Sequence, residues 1–222
     1  MFIGHFALGF GAKRIAPAVS LGTLFLACQL ADLVWPNLVL AGVEALEIDP
    51  GNTAYTPLNF ASYPYSHSLV AMAVWAVLFA AAYRVLHRSA SRAVPILAGL
   101  VLSHWVLDWI SHRPDLPLWI GGDTRVGLGL WNSVPATIAV ETLLFAAGVG
   151  LYARATTARD RVGSIALWAL VVFLLLVSLA NAFGPPPQDP AQVAWAAQSM
   201  WLLVAWGYWV DRHRQARATA RA

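Results

Sequence analysis

The run Ser103-His104-Trp105-Val106-Leu107-Asp108-Trp109-Ile110-Ser111-His112-Arg113-Pro114-Asp115 carries the sharpest chemical pattern in the chain. Residues three or four apart share a helix face, so the spacing predicts a single stripe of His104, Asp108 and His112, each one turn beyond the last. The residues between them are mostly large and apolar. An ionisable stripe inside a membrane-grade segment is costly, and such residues usually face a polar cavity and mark a working site. Imidazoles and a carboxylate in one line are metal ligands or proton-transfer groups. Pro114 disfavours helical geometry at the residue before it, so the helix is expected to end near Arg113.

Composition says what must position that stripe. Of 222 residues, 59% are hydrophobic and 11% charged, against roughly a quarter charged in an average soluble domain. A water-soluble fold of this length could not hide so much apolar surface, which points to lipid as the solvent. The net charge of +3 comes from arginines grouped in short segments, with no basic face interleaved with aromatics. That grouping reads as membrane orientation and not as a nucleic-acid surface. With Cys28 as the only cysteine, neither an intrachain disulfide nor a Cys-based zinc site can be built. The eleven tryptophans suit interfacial belts.

Taken in order, Met1 to Gly11 is apolar but too short to span, and no basic region precedes it, so no cleavable signal is expected. Lys13 and Arg14 follow, on the cytoplasmic side by the positive-inside tendency. Apolar spans are expected over Pro17–Leu40, Tyr65–Leu86, Ala93–His112, Ser133–Tyr152, Val162–Phe183 and Ala191–Val210. Residues 44 to 64 carry three carboxylates and no basic residue, and read as an outer loop with room for a short helix. Residues 113 to 132, rich in Gly and Pro, read as a shaped loop. Arg84, Arg88 and Arg92, then Arg154, Arg159 and Arg161, then the basic tail from Arg212, all fall on one side if six spans are drawn. The fold expected is therefore an all-α polytopic membrane helix bundle of about six transmembrane helices, with both termini cytoplasmic. It is read as a single domain over residues 1–222, with a metal-site half over about 1–145, accessory helices over about 160–211, and a basic tail over 212–222.

Under that topology Asp32 lies toward the outer end of span one and His67 at the outer start of span two. Asp108 and His104 lie one and two turns below His112. Glu141 sits about 12 Å below the start of span four. Four helices thus send carboxylates and imidazoles to similar depths, which random scatter would not do. Neutral imidazole and carboxylate together suit zinc, manganese or iron. A cation also offsets carboxylates that burial would otherwise force to protonate. The bland readings are a hydrogen-bonded packing role for His104, a structural role for Asp108, helix capping for His67, and salt-bridge or relay roles for Asp32 and Glu141. Asp115 and Asp123 read as loop residues, and His87 and His213 as solvated groups among arginines.

With these residues in place the chain resembles the bacterial inner-membrane-associated metal-dependent hydrolases of the YdjM-like family, over roughly residues 1 to 145. The likeness rests on an early His in a Gly-rich apolar start (His5 in GHFALGFG), an Asp after the first helix (Asp32), Ser66-His67-Ser68 at the second, and His-x-x-x-Asp in the third (His104, Asp108). The chain departs from the pattern at Ala31, where a proline is usual, and at Ser62-Tyr63-Pro64-Tyr65, where an arginine and glycine are usual. The resemblance implies metal-dependent hydrolysis. It also implies phosphoester chemistry, through a His and Asp pattern similar to that of zinc-dependent phospholipase C. It adds His5 to the ligand set, and a re-entrant or interfacial first segment would bring His5 to the outer side.

The expectation is thus a multi-pass enzyme of the bacterial inner membrane. Its metal, zinc first and manganese or iron next, is held by Asp32, His67, His104 and Asp108 with His5 and His112, and Glu141 or Asp115 is a general base. The expected substrate is an ester or phosphoester of a membrane lipid or a lipid-linked molecule. The alternatives are a proton or metal-ion transporter using the same stripe, or a scaffold whose buried polar groups only lock helices together.

Overall fold

The structure is a computed structural model that describes residues 1–88 and 92–217; residues 89–91 and the end of the basic tail, 218–222, lie outside the described residues. It is mainly helical. In chain order it contains α1 (Ile3–Ala12), α2 (Leu21–Cys28), α3 (Leu30–Leu40), β1 (Ala45–Ile48), β2 (Leu58–Ser62), α4 (Pro64–His67), α5 (Leu69–Leu86) and α6 (Ala93–Ser111). Then follow β3 (Leu116–Pro117), β4 (Arg125–Val126), α7 (Val134–Ala155), β5 (Thr156–Ala158), α8 (Arg161–Phe183), α9 (Pro190–Ala197), α10 (Met200–Arg212) and β6 (Arg214–Ala216).

Four helices, α5 to α8, are long and apolar enough to cross a membrane, and the bent pair α2 and α3 would make a fifth span. Their bounds lie within a few residues of the expected segments, because long unbroken apolar runs between polar loops leave little freedom. Val77, Leu78 and Val85 on α5, Leu143 on α7, and Ile165, Trp168 and Leu176 on α8 stand exposed, as lipid-facing side chains would. Two segments differ from the expectation. The first span breaks by 55° at Gln29 into α2 and α3. The sixth is divided by a turn at Gln198-Ser199 into α9 and α10, neither reaching the roughly 20 residues that a straight crossing needs.

The short first helix is the larger surprise. α1 packs among its neighbours and is buried at Ile3, His5, Phe6, Ala7, Gly9 and Phe10. Phe6 and Phe10 each meet Phe25 of α2 edge to face, with ring centroids 4.9 Å apart, and Phe10 meets Tyr152 of α7 at 5.4 Å. Contact with α7 is close because position 148 is glycine: a Cβ there would strike the Ala7 carbonyl oxygen. Ten residues of helix rise about 15 Å, half the thickness of the hydrocarbon core. A helix whose start is buried must satisfy its first N–H groups inside the protein. Glu141 does this, its Oε2 accepting from the backbone N–H of Phe2 (3.0 Å) and Gly4 (3.2 Å). The other end of α1 is fixed by Lys13, whose Nζ donates to Val19 O and to Asp211 Oδ2 near the end of α10.

Short antiparallel pairs close the ends. β1 pairs with β2 (Ala45 with Ser62, Glu47 with Asn59, Ile48 with Leu58), and β3 with β4 (Leu116 with Val126, Pro117 with Arg125). Both lie where α6 ends and α5 and α7 begin. β5 pairs with β6 at the opposite end. The loop after α6 folds back onto it: Leu128 N–H donates to Trp109 O and Gly129 N–H to His112 O.

Candidate metal centre

His104 and Asp108, one turn apart on α6, face the same way and are buried. The break between α2 and α3 leaves the Cys28 carbonyl without a helical partner, and His104 Nδ1 donates to it at 2.8 Å. That bond fixes the ring and leaves Nε2 as the lone-pair nitrogen. His104 Nε2 lies 3.2 Å from Asp108 Oδ2 and 3.7 Å from Asp32 Oδ1, Asp32 standing in the first turn of α3. His67, at the end of α4, brings Nε2 to 3.4 Å from Asp32 Oδ1 and 3.8 Å from Asp108 Oδ2. His5 of α1 stacks on His104, with centroids 3.7 Å apart and planes within 3°, and its Nε2 lies 3.1 Å from Asp108 Oδ1. The Met1 amino group is 2.6 Å from that same oxygen and 3.3 Å from Ser111 Oγ.

The ligand atoms form two overlapping groups, His5/His104/Asp108 and Asp32/His67/His104, each within 4.8 Å, with His104 common to both. Ligands about 2.0–2.1 Å from a tetrahedral zinc stand roughly 3.4 Å from one another. The five imidazole–carboxylate separations are 3.1 to 3.8 Å, and all ligand atoms of a group lie within 4.8 Å of one another. His104 Nε2, which faces the cluster, is buried without a hydrogen-bond partner among the described residues, a state that costs free energy unless something binds there. These residues therefore fit a divalent cation. The Asp32 side chain, 25% exposed, gives the cluster an accessible edge.

His67 is oriented by a relay that the sequence reading missed. Its Nδ1 lies 2.7 Å from Ser66 Oγ, which donates to Glu44 Oε2 at 2.6 Å. Glu44 Oε1 accepts from the N–H groups of Tyr65 (2.8 Å) and Ser66 (2.9 Å). The carboxylate thus anchors α4 and, through one hydroxyl, the ring. Glu44 reads as one more acid of an outer loop, and only its approach to position 66, set by the β1–β2 hairpin, gives it this place. Ser68, flanking His67 on the other side, accepts from Ala71 N–H and caps α5.

His112, Asp115 and Glu141 stand apart from the two ligand groups. α6 ends at Ser111 and His112 takes extended geometry (φ −67°, ψ 150°), so its ring leaves the stripe that continued helix would have made. Its Nδ1 donates to Asp115 Oδ1 (3.0 Å), to which Tyr63 Oη also donates (3.0 Å), while Arg113 Nε donates to Oδ2 (3.2 Å). Burial alone would raise the Asp115 carboxyl, but the His112, Tyr63 and Arg113 donors outweigh it and hold it below the usual carboxylate range. Tyr63 is pushed well above its ordinary value by burial and by the Asp115 charge. Glu141 caps α1, and its Oε1 has no partner among the described residues.

Comparison of the chain with known protein families, with curated proteins and with solved structures gives no significant match, so the functional reading rests on the geometry of this centre.

Proposed function

We propose that the chain is a membrane-embedded, metal-dependent hydrolase acting on an ester or phosphoester of a lipid or lipid-linked substrate, as its resemblance to the YdjM-like hydrolases implies. One observation carries the proposal: five side chains able to bind a cation, from four helical segments, form two overlapping groups that share His104, whose buried Nε2 is unpartnered among the described residues. His5, Asp32, His67, His104 and Asp108 would hold the cation, zinc first, manganese or iron next. Such an ion supplies Lewis acidity and a water that ionises near pH 7. The Cys28 carbonyl and the Ser66–Glu44 relay keep His104 and His67 in the tautomer that binds. Asp32 leaves the edge through which substrate enters. Asp115 fixes His112 through Nδ1, outside the two ligand groups. We further propose six crossings with the Lys13 end of α1 and the C-terminus at the cytoplasmic face and Met1 inside the bundle beside Asp108, in a bacterial inner membrane, the centre opening toward the outer leaflet.

Ion passage is less well served. Between the centre and the Lys13 end, the core among the described residues includes Phe6, Phe10, Phe25 and Phe145, a largely apolar stretch that gives an ion no continuous polar path. Elemental analysis of the detergent-purified chain tests the proposal. Near-stoichiometric divalent metal is expected, and its loss from a His104→Ala/Asp108→Ala double variant; full retention in that variant would refute the proposal. Hydrolysis of a panel of ester and phosphoester lipids by the metal-loaded protein, and not by the variant, tests the reaction class.

A further inference from the structure

A second feature stands beside the centre. A cleft of about 380 Å³ opens between the β1–β2 hairpin and the loop after α6, lined by Asn59, Phe60, Arg113, Asp115 and Arg125 among others. Two guanidinium groups face one carboxylate there. The two oxygens of that carboxylate are already taken by Tyr63, His112 and Arg113. Arg113 is held in place by Asp115 and by Asn59, to whose Oδ1 its Nη2 donates at 2.9 Å. Arg125 donates only to the Asp115 carbonyl oxygen, at 3.4 Å, and no carboxylate stands within ion-pair distance of it among the described residues. Arg125 thus keeps guanidinium donors to spare, the nearby acids being Asp115 and Glu47, whose Oε2 accepts from Asn59 at 2.9 Å. The fork of a guanidinium matches the oxygens of a phosphate group. Because Arg113 is already ordered, an incoming anion meets a smaller entropic cost than it would at a free side chain.

The cleft and the centre share a wall. The Tyr63 ring lies 5.3 Å from that of His67, centroid to centroid, while its hydroxyl bonds Asp115 at the cleft. A group seated between the arginines is therefore one side chain away from the ligands.

We propose that the Arg113–Arg125 cleft is a binding site for a phosphate-type anion, on a lipid headgroup or as free phosphate, and, if the hydrolase reading holds, that it seats the anionic part of the substrate. The site is partly open to water, so its affinity falls with added salt.

The test uses the full chain stripped of metal by a chelator, so that anion binding at a cation cannot interfere. Inorganic phosphate is titrated in detergent and followed by thermal shift. In a second arm, the chain sits in phosphatidylcholine nanodiscs with and without phosphatidic acid, and phosphate is titrated again. Saturable phosphate binding is expected, weakened at least tenfold in Arg125→Gln and Arg113→Gln and less in Arg125→Lys. If phosphatidic acid in the disc abolishes phosphate binding, the headgroup is the ligand; if it does not, the free anion is, and either result supports the site. No binding in either arm, or undiminished binding in an Arg113→Gln/Arg125→Gln double variant, overturns it. The His104→Ala/Asp108→Ala protein separates the two proposals: phosphate binding persists there if the cleft is the site, whatever becomes of the metal. Its loss there would place the anion at the centre and overturn the cleft proposal alone.

Discussion

At the scale of single residues, the centre depends on groups that never touch a ligand position directly. Partners that fix a ligating imidazole typically change metal affinity by about 10–100-fold, and Glu44 and Ser66 form such a chain behind His67. Glu44→Gln and Ser66→Ala are each expected to weaken metal binding by about that factor while the protein remains folded. Competition with a chromogenic chelator reads the change, and unaltered affinity would remove the relay from the account. Asp115 makes a separate prediction, in pH. Its folded carboxyl is held below the ordinary value, so its stabilising effect is full above the unfolded pKa of about 3.9 and is lost as pH falls through the folded value. The stability difference between the parent and Asp115→Asn should be constant above about pH 5 and shrink below about pH 4. A difference that instead grew on acidification would contradict the assigned direction.

At the scale of elements, two junctions set the geometry. The α1–α7 contact brings His5 to His104, and it relies on the missing side chain at position 148. Gly148→Ala forces a Cβ against the Ala7 backbone, for which a loss of about 1–3 kcal/mol is expected from overpacking, together with weaker metal binding as His5 shifts. Denaturation in mixed micelles reads the first effect. The buried start of α1 depends on Glu141. Glu141→Gln keeps an acceptor and should be mild, whereas Glu141→Leu leaves buried N–H groups unsatisfied at about 1–3 kcal/mol each. Equal stability of the two variants would show that capping is not what Glu141 does. The break between α2 and α3 has a positive use as well: it frees the Cys28 carbonyl for His104 and turns Asp32 into the cluster.

At the scale of the whole molecule, the accessibility of single cysteines tests the number and direction of the proposed crossings. Cys28 is buried, so introduced cysteines report cleanly. With the proposed orientation, Ala54→Cys and Asp123→Cys should react with an impermeant maleimide on intact cells. Arg88→Cys and Gln215→Cys should react only after permeabilisation. The reverse pattern would invert the proposed topology, and all four labelling from one side would rule out a multi-pass arrangement.

How much of this was readable beforehand varies with the range of the interaction involved. The mainly helical character with membrane-length apolar helices, the bounds of α5 to α8 and the pairing of His104 with Asp108 follow from composition, hydropathy and helical period, which act over a few residues at a time, whereas the short strand pairs do not. Asp32 and His67 could be placed at a shared depth by counting turns, and His5 entered through a family likeness. Local patterns could not show that α1 is the buried axis of the fold, that His112 turns away where α6 stops, or that Glu44 reaches Ser66 across the hairpin. Nor could they join Arg113 to Arg125 across the loop. By itself the sequence determined which segments seek lipid and which side chains are able to bind a cation. Only the tertiary structure decided which of those side chains meet, because convergence depends on helix breaks, caps and close backbone approach between segments as far apart as Gly4 and Glu141.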